Sequence, residues 1–214
     1  MNPNYAIAHG WYALFLGHVG RIDEGIKEAE LAQEFDPLSP RVHCVASEEY
    51  LFAHQYDESI EAAEKALEIS PGYGGAYGYR AYALIEKKMY REAIESLQEA
   101  GKQGGARAWM GRIGHAYAVS GQTDKAVKIL HELESETAQP PPKSPFLPPP
   151  PDTALDVGLV QLGLGNLQES ISSLEKAAEE HTAEIIHIKS EPIYAPIRQD
   201  PRFQALMRKI GLNP

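Results

Sequence analysis

The chain has 214 residues, 43% of them hydrophobic, which is enough apolar material for a substantial core and argues against disorder throughout. Its 20 Lys and Arg against 30 Asp and Glu give a formal charge of -10, a field that repels phosphate backbones and disfavours direct nucleic-acid binding. No apolar run reaches the roughly 18 to 20 residues of a membrane helix, the opening Met1-Asn2-Pro3-Asn4-Tyr5 lacks the basic flank and apolar stretch of a signal peptide, and the lone Cys44 has no internal disulfide partner, so a cytoplasmic setting is expected.

Read from the start, the chain repeats. Pro3, Pro37 and Pro71 recur at steps of 34, and so do Glu24-Gly25-Ile26, Glu58-Ser59-Ile60 and Glu92-Ala93-Ile94. Each unit carries apolar and small residues at the three-and-four spacing of two helices with a break between them. The sets are Ala13, Leu16, Ile26, Ala29 and Ala32, then Tyr50, Phe52, Ile60, Ala63, Ala66 and Leu67, then Ala81, Leu84, Ala93, Ile94, Leu97 and Ala100. Proline cannot continue a helix, so Pro37 and Pro71 punctuate the hairpins, and Ser39-Pro40 reads as an N-cap followed by a first-turn proline.

A fourth unit begins near Gly105, with Gly114, Tyr117 and Gly121 ahead of Ala126, Val127 and Leu130, one residue short of phase. The slip is assigned to the glycine-rich run Gly101 to Gly105, read as a turn, because a deletion inside a helix would rotate every later side chain by about 100°. The segment Pro140 to Pro151 has proline at eight of twelve positions and is expected to be extended, either the favoured strut between the fourth and fifth units or, with Lys143 in its run, a proline-rich ligand for an aromatic-lined domain. The fifth unit runs from Gly158, Leu162 and Gly165 through Ile171, Leu174 and Ala177. In the tail, Asp200 is placed to cap a helix that starts at Pro201, carries Phe203, Leu206 and Ile210 on one face, and ends at Gly211. The expected organisation is repeat units 1 to 4 over 1–138, a proline-rich connection over 139–152, unit 5 over 153–180 and a cap segment over 181–214.

A helical hairpin with this period and phase resembles the tetratricopeptide repeat (TPR) family over about residues 3 to 180. The resemblance implies an all-α, right-handed superhelical solenoid of about five hairpins with a C-terminal capping helix. It also implies a scaffold for protein or peptide partners, with no catalytic site and no cofactor. The tail from Glu191 to Leu206 is similar to the closing segment of arrays that follow winged-helix, nucleotide-cyclase or Ser/Thr-kinase modules in bacterial signalling proteins, so the alternative is a regulatory domain of such a protein. Pro3 already holds an end-of-unit position, so the first hairpin presents an open N-terminal edge through which copies can associate.

Chemistry has few candidates. His181, Glu184 and His187 are the tightest metal-type cluster, but in an α-helix their three-residue intervals turn the end side chains about 120° apart, and no metal site is assigned there. Gly72 to Gly78 follows a helix-ending proline instead of a strand and has no lysine-serine or lysine-threonine ending, so it is not a phosphate loop. Cys44 and His43 diverge on a helix and do not make a nucleophile and base.

By the resemblance, the first helix of each hairpin lines the concave face that receives peptides. One lining row reads Gly10, Cys44, Gly78 and Gly111. The next reads Leu14, Glu48, Tyr82, His115 and Leu159, with His18, Arg41 and Glu86 on flanking positions. The glycines either open room for a ligand or permit close helix packing, and Tyr82 is the expected aromatic anchor. None of these positions carries the asparagines and lysines with which family members clamp chaperone C-termini, and Glu48 and Glu86 suit a basic or neutral segment instead.

Overall fold

The structure, a computed structural model, describes residues 5–138 and 153–212. The proline-rich segment and Pro3 lie outside the described residues. All regular structure among the described residues is helical. The chain divides into two compact units, one formed by residues up to Gly104 with His187–Ile193, the other by Gly105–Ile186 with Tyr194 onward.

The first unit holds three hairpins: α1 (Ala6–His18) with α2 (Ile22–Phe35), α3 (Pro40–Phe52) with α4 (Tyr56–Ile69), and α5 (Gly74–Glu86) with α6 (Tyr90–Gly104). Ala6, Pro40 and Gly74 open the first helices at steps of 34, and Ile22, Tyr56 and Tyr90 open the second helices at the same step. The sequence period is therefore the structural period. Helices cross where both side chains are small: Ala13 faces Gly25 and Ser47 faces Ser59, and at the same offset along the chain the third hairpin has Ala81 and Ala93, both completely buried. At the middle crossing the two serines exchange bonds, Ser47 Oγ donating to the Ser59 carbonyl and Ser59 Oγ to the Ser47 carbonyl, each at 2.8 Å.

Each hairpin turns through one left-handed residue. Gly20, His54 and Lys88 have φ of 85°, 59° and 60° at successive steps of 34. The backbone closes the same way each time, as in Gly20 N–H to the Gly17 carbonyl at 3.0 Å and Arg21 N–H to the Leu16 carbonyl at 2.8 Å, which satisfies carbonyls that the helix end would leave unpaired. The helix starts rely less on side-chain caps than the sequence implies. Pro40 does occupy the first turn of α3, but Ser39 makes no side-chain cap bond. Asp23 and Glu24 in α2, and Asp57 and Glu58 in α4, place negative charge at the positive helix end instead.

In the second unit a 3-10 turn, Ala106–Trp109, leads into α7 (Met110–Val119) and α8 (Thr123–Ala138), followed by α9 (Thr153–Gly163), α10 (Leu167–Glu179) and α11 (Pro201–Lys209). The run assigned to the slip is not a turn throughout: Gly101 to Gly104 continue α6, and only Gly105, with φ 97°, leaves the helix. Glycine tolerates this conformation, which makes it the natural hinge residue there. α9 packs on α7 and α8, with Ala126, Leu130, Leu133 and Val160 in one apolar cluster. Arg107 reinforces this unit, donating from Nε to Glu136 at 2.7 Å, from Nη2 to Thr153 Oγ1 at 3.0 Å and from Nη1 to Asp156 at 2.5 Å. As expected, Asp200 caps α11 by accepting from the Arg202 N–H at 2.8 Å, Phe203 and Leu206 are buried, and Gly211 follows the helix end with φ 82°, but Ile210 is the C-cap residue and only half-buried. The residues ahead of it form two 3-10 helices, Ala183–Lys189 and Pro192–Ile197, where the sequence suggests a short α-helix around His181 to His187.

Candidate functional site

The expected lining residues fall into three burial groups. Gly10, Cys44, Glu48, Gly78, Gly111 and His115 are buried, Leu14, His18, Tyr82 and Glu86 are half-buried, and Arg41 is exposed. Gly111 owes its identity to packing, because a Cβ there would stand 2.7 Å from the Asp156 Cα on α9. Gly10 is under less pressure, its Cβ meeting Val45 Cγ2 at an ordinary 3.8 Å. Cys44 sits in an apolar cluster with Ala66 and Ala76, and burial first, then the charge of Glu48, pushes its thiol up to about 12. Such a thiol is an inert packing group. His115 donates from Nδ1 to the Leu159 carbonyl at 3.0 Å, and burial pulls its pKa down to about 4, so the ring is neutral near pH 7.

His18 and Glu48 come together with a residue that sequence spacing assigns elsewhere. His18 Nε2 lies 3.4 Å from Glu48 Oε1, His187 Nδ1 lies 3.3 Å from the same oxygen, and the two ring nitrogens are 3.2 Å apart. Tyr79 on α5 donates its hydroxyl to the other carboxylate oxygen, Oε2, at 2.7 Å. Burial by itself raises the Glu48 pKa, but hydrogen bonds from His18 and His187, the charge of His187 and the Tyr79 bond outweigh it and hold the carboxyl down to about 2. The Tyr79 hydroxyl is pushed well above its usual range by burial and then by Glu48, so it remains a donor. Residues of the 187–193 segment are anchored beside this cluster: Ser190 Oγ donates to the Gly17 carbonyl at 2.6 Å, and Lys189 Nζ to the Val19 carbonyl at 3.1 Å. Part of the lining row in the first two hairpins is thus engaged by the chain's own later residues. His181, in contrast, is exposed with φ 57°, outside the 3-10 helix that carries His187.

Neighbouring Glu49 is also buried, and neither carboxyl oxygen has a hydrogen-bond partner among the described residues. Burial, then the charge of Glu48, pushes its pKa up to about 9, so the group is a neutral acid near pH 7. Its place in the repeat offers a signal, since one period before and after it stand Phe15 and Ala83.

A second feature lies on α1. Ile7, Trp11, Tyr12 and Phe15 are 45%, 60%, 45% and 56% exposed, and α1 contains no Asp, Glu, Lys or Arg. The guanidinium of Arg41 stands 4.6 Å over the Trp11 ring, which joins the exposed end of the lining row to this aromatic face.

With this geometry in hand, comparison with known proteins shows what the repeat is similar to. Residues 51–110 match the tetratricopeptide repeat family profile. No curated protein matches in sequence. Among solved structures, a thermophilic TPR protein in Thermus thermophilus is 19% identical with a TM-score of 0.62, the similarity covering 89% of this chain and 99% of that one. The Cut9-Hcn1 hetero-tetramer of the APC/C gives 13% identity and a TM-score of 0.60 over 98% of this chain and 40% of that one. Pseudomonas aeruginosa pilF gives 16% identity and a TM-score of 0.54 over 95% and 97% of the two chains. These likenesses show the fold class, an all-α tetratricopeptide solenoid. No helix among the described residues is long and apolar enough to cross a membrane.

Proposed function

We propose that this chain is a protein-binding scaffold, not an enzyme, and that it takes a helical partner on the exposed face of α1. Repeat equivalence carries this reading. Trp11, Tyr12 and Phe15 correspond, one period on, to Val45, Ala46 and Glu49, which are 4%, 1% and 0% exposed. Val45 and Ala46 share an apolar cluster with Ala13 and Ala29 of the preceding hairpin. The positions that α1 presents to solvent are therefore those that α3 uses to receive another hairpin. Large exposed aromatics on a helix that itself carries no Asp, Glu, Lys or Arg have the composition of an interface core. The partner that fits is a helical hairpin with a small-residue and aliphatic face, such as α2 offers to α3, from a second copy or another protein. A preceding hairpin in a longer signalling protein is a second reading of the same face.

Both readings predict that substitution on α1 changes association without changing the fold. Sedimentation velocity on the full chain and on Trp11→Lys/Phe15→Lys measures self-association, and a photo-crosslinking residue at position 15, compared with one at the exposed Glu64 position, reports hetero-partners in source lysate. Concentration-dependent association lost in the double variant, or a crosslinked partner specific to position 15, supports the proposal. Monomeric behaviour together with equal crosslinking from positions 15 and 64 overturns it.

The lining row is a further candidate surface for a peptide. There Leu14, Tyr82 and Glu86 keep partial exposure, and Arg41 is exposed. Tyr82 packs edge-on against Tyr79, with ring centroids 5.9 Å apart, so its ring is preoriented for contact. Tyr82→Ala then weakens capture of a basic or neutral peptide relative to Glu64→Ala, and equal capture by both variants removes this surface.

A further inference from the structure

We propose that His18, Glu48 and His187 form a binding site for a single divalent transition-metal ion of the zinc class, held by two imidazole nitrogens and one carboxylate oxygen. Their candidate ligand atoms lie within 4.8 Å of one another. The three separations, 3.2 Å between the ring nitrogens and 3.4 and 3.3 Å from them to Glu48 Oε1, make a nearly equilateral triangle. Ligands at the roughly 2.0 to 2.1 Å of zinc–nitrogen and zinc–oxygen bonds stand about 3.3 Å apart when the ion is tetrahedral. The triangle matches one face of that tetrahedron.

Hydrogen bonding alone serves this arrangement incompletely. If both ring nitrogens carry protons aimed at Oε1, the 3.2 Å edge sets two N–H groups against each other. If one nitrogen is bare, it faces the carboxylate lone pair across a 3.3 or 3.4 Å edge. A cation uses all three lone pairs at once, with both imidazoles neutral and the carboxylate ionised.

The surroundings are those of a supported site. Glu48 is fully enclosed, and the Tyr79 hydroxyl at 2.7 Å from Oε2 fixes the carboxylate so that Oε1 faces the rings. His187 is held in place through Lys189 and Ser190, whose side chains grip the Val19 and Gly17 carbonyls at the end of α1. Glu191 Oε1 lies 3.9 Å from His187 Nδ1, beside the three ligands but outside the group whose donor atoms close on one point. The donors come from α1, α3 and the 187–193 segment, so the ion acts as a crosslink that fastens this segment to the first two hairpins. Sequence spacing hides the site because its ligands are scattered over most of the chain, on the first helix, the third helix and the C-terminal segment, outside any short metal motif.

The test is a calorimetric titration of ZnCl2 into the full chain after dialysis against a chelator, repeated on Glu48→Gln, His187→Gln and the surface control His131→Ala. The expected result is one equivalent bound, with affinity lowered about 100-fold or more in the two site variants and unchanged in the control. Cobalt(II) absorption supplies a readout that a structural defect does not imitate: strong visible bands of a tetrahedral ion in wild type, absent from both site variants even where their far-ultraviolet circular dichroism is native. Failure of the wild-type chain to bind zinc stoichiometrically overturns the proposal, as does equal zinc affinity in wild type and the two site variants.

Discussion

The carboxyl group of Glu49 occupies the space that Gly17 and Gly25 leave by having no side chains: a Cβ on Gly17 would stand 2.6 Å from Glu49 Oε2, and one on Gly25 2.9 Å from its Cδ. A polar group is thus accommodated by shape without being satisfied by hydrogen bonds. Replacing it with an apolar side chain of similar length removes a desolvation cost and keeps the packing. Glu49→Met is expected to raise unfolding stability by about 1 to 3 kcal/mol, and Gly17→Ala to lower it by a similar amount through the clash with the acid. Urea unfolding of both variants and of their combination measures this. A destabilised Glu49→Met would mean that the acid has a stabilising partner.

The left-handed turn residues give a cleaner backbone prediction. Gly20, Gly121 and Gly165 adopt φ of 81° to 85° where His54 and Lys88 adopt 59° and 60° at equivalent turns. A side chain in this region costs roughly 1 to 2 kcal/mol relative to the right-handed form, part of which is recovered because glycine has the looser unfolded chain. Lys88→Gly is expected to stabilise by about 0.5 to 1 kcal/mol, and Gly121→Ala to destabilise by about 1 kcal/mol. Thermal melts resolve both shifts.

The pH dependence of stability has a named contributor in His115, which is 5% exposed and whose pKa falls from 6.5 to about 4 on burial. A depressed folded-state pKa means that the unfolded chain binds the proton more readily. The stabilisation is therefore complete above pH 6.5 and is lost as the pH drops towards 4. The loss amounts to about 2 to 3 kcal/mol across that window. His115→Gln keeps a donor for the Leu159 carbonyl and has no such titration, so its stability curve is flatter between pH 4 and 6.5. Parallel curves for the two proteins would remove His115 as the cause.

The hairpins were legible because their information is local and periodic. The Ala13, Ser47 and Ala81 positions, with their partners at a constant offset in the second helices, recur in phase with the helix turns, so small residues at crossings announce the fold. Gly105 was harder to place, since glycine is compatible with both the last turn of α6 and the break after it, and only the backbone chooses. The His18, Glu48 and His187 cluster was beyond reach for a different reason. His187 lies outside the repeat, and its approach to α1 depends on the bonds of Lys189 and Ser190 to carbonyl groups, which leave no pattern in a sequence. Glu49 lay between these cases: an acid in phase with Phe15 and Ala83 marks an anomaly, though not what fills the space around it.

The serine pair at the second crossing tests whether its hydroxyls add stability or merely fit. Ser47 and Ser59 are both fully buried, their Oγ atoms are 3.1 Å apart, and each donates to the other's carbonyl at 2.8 Å. Ala81 and Ala93 stand at the equivalent positions of the third hairpin with no hydroxyl, and each is completely buried. The scaffold therefore accepts the apolar pair. Removing one hydroxyl strands the other in a dry crossing with a single remaining bond, whereas removing both leaves methyl groups and helix carbonyls that still hold their backbone partners. Ser47→Ala and Ser59→Ala are each expected to cost about 1 kcal/mol, and the double variant clearly less than the sum. A double-mutant cycle by urea unfolding gives the coupling directly. Strict additivity would show that the two hydroxyls act independently, each through its own carbonyl bond.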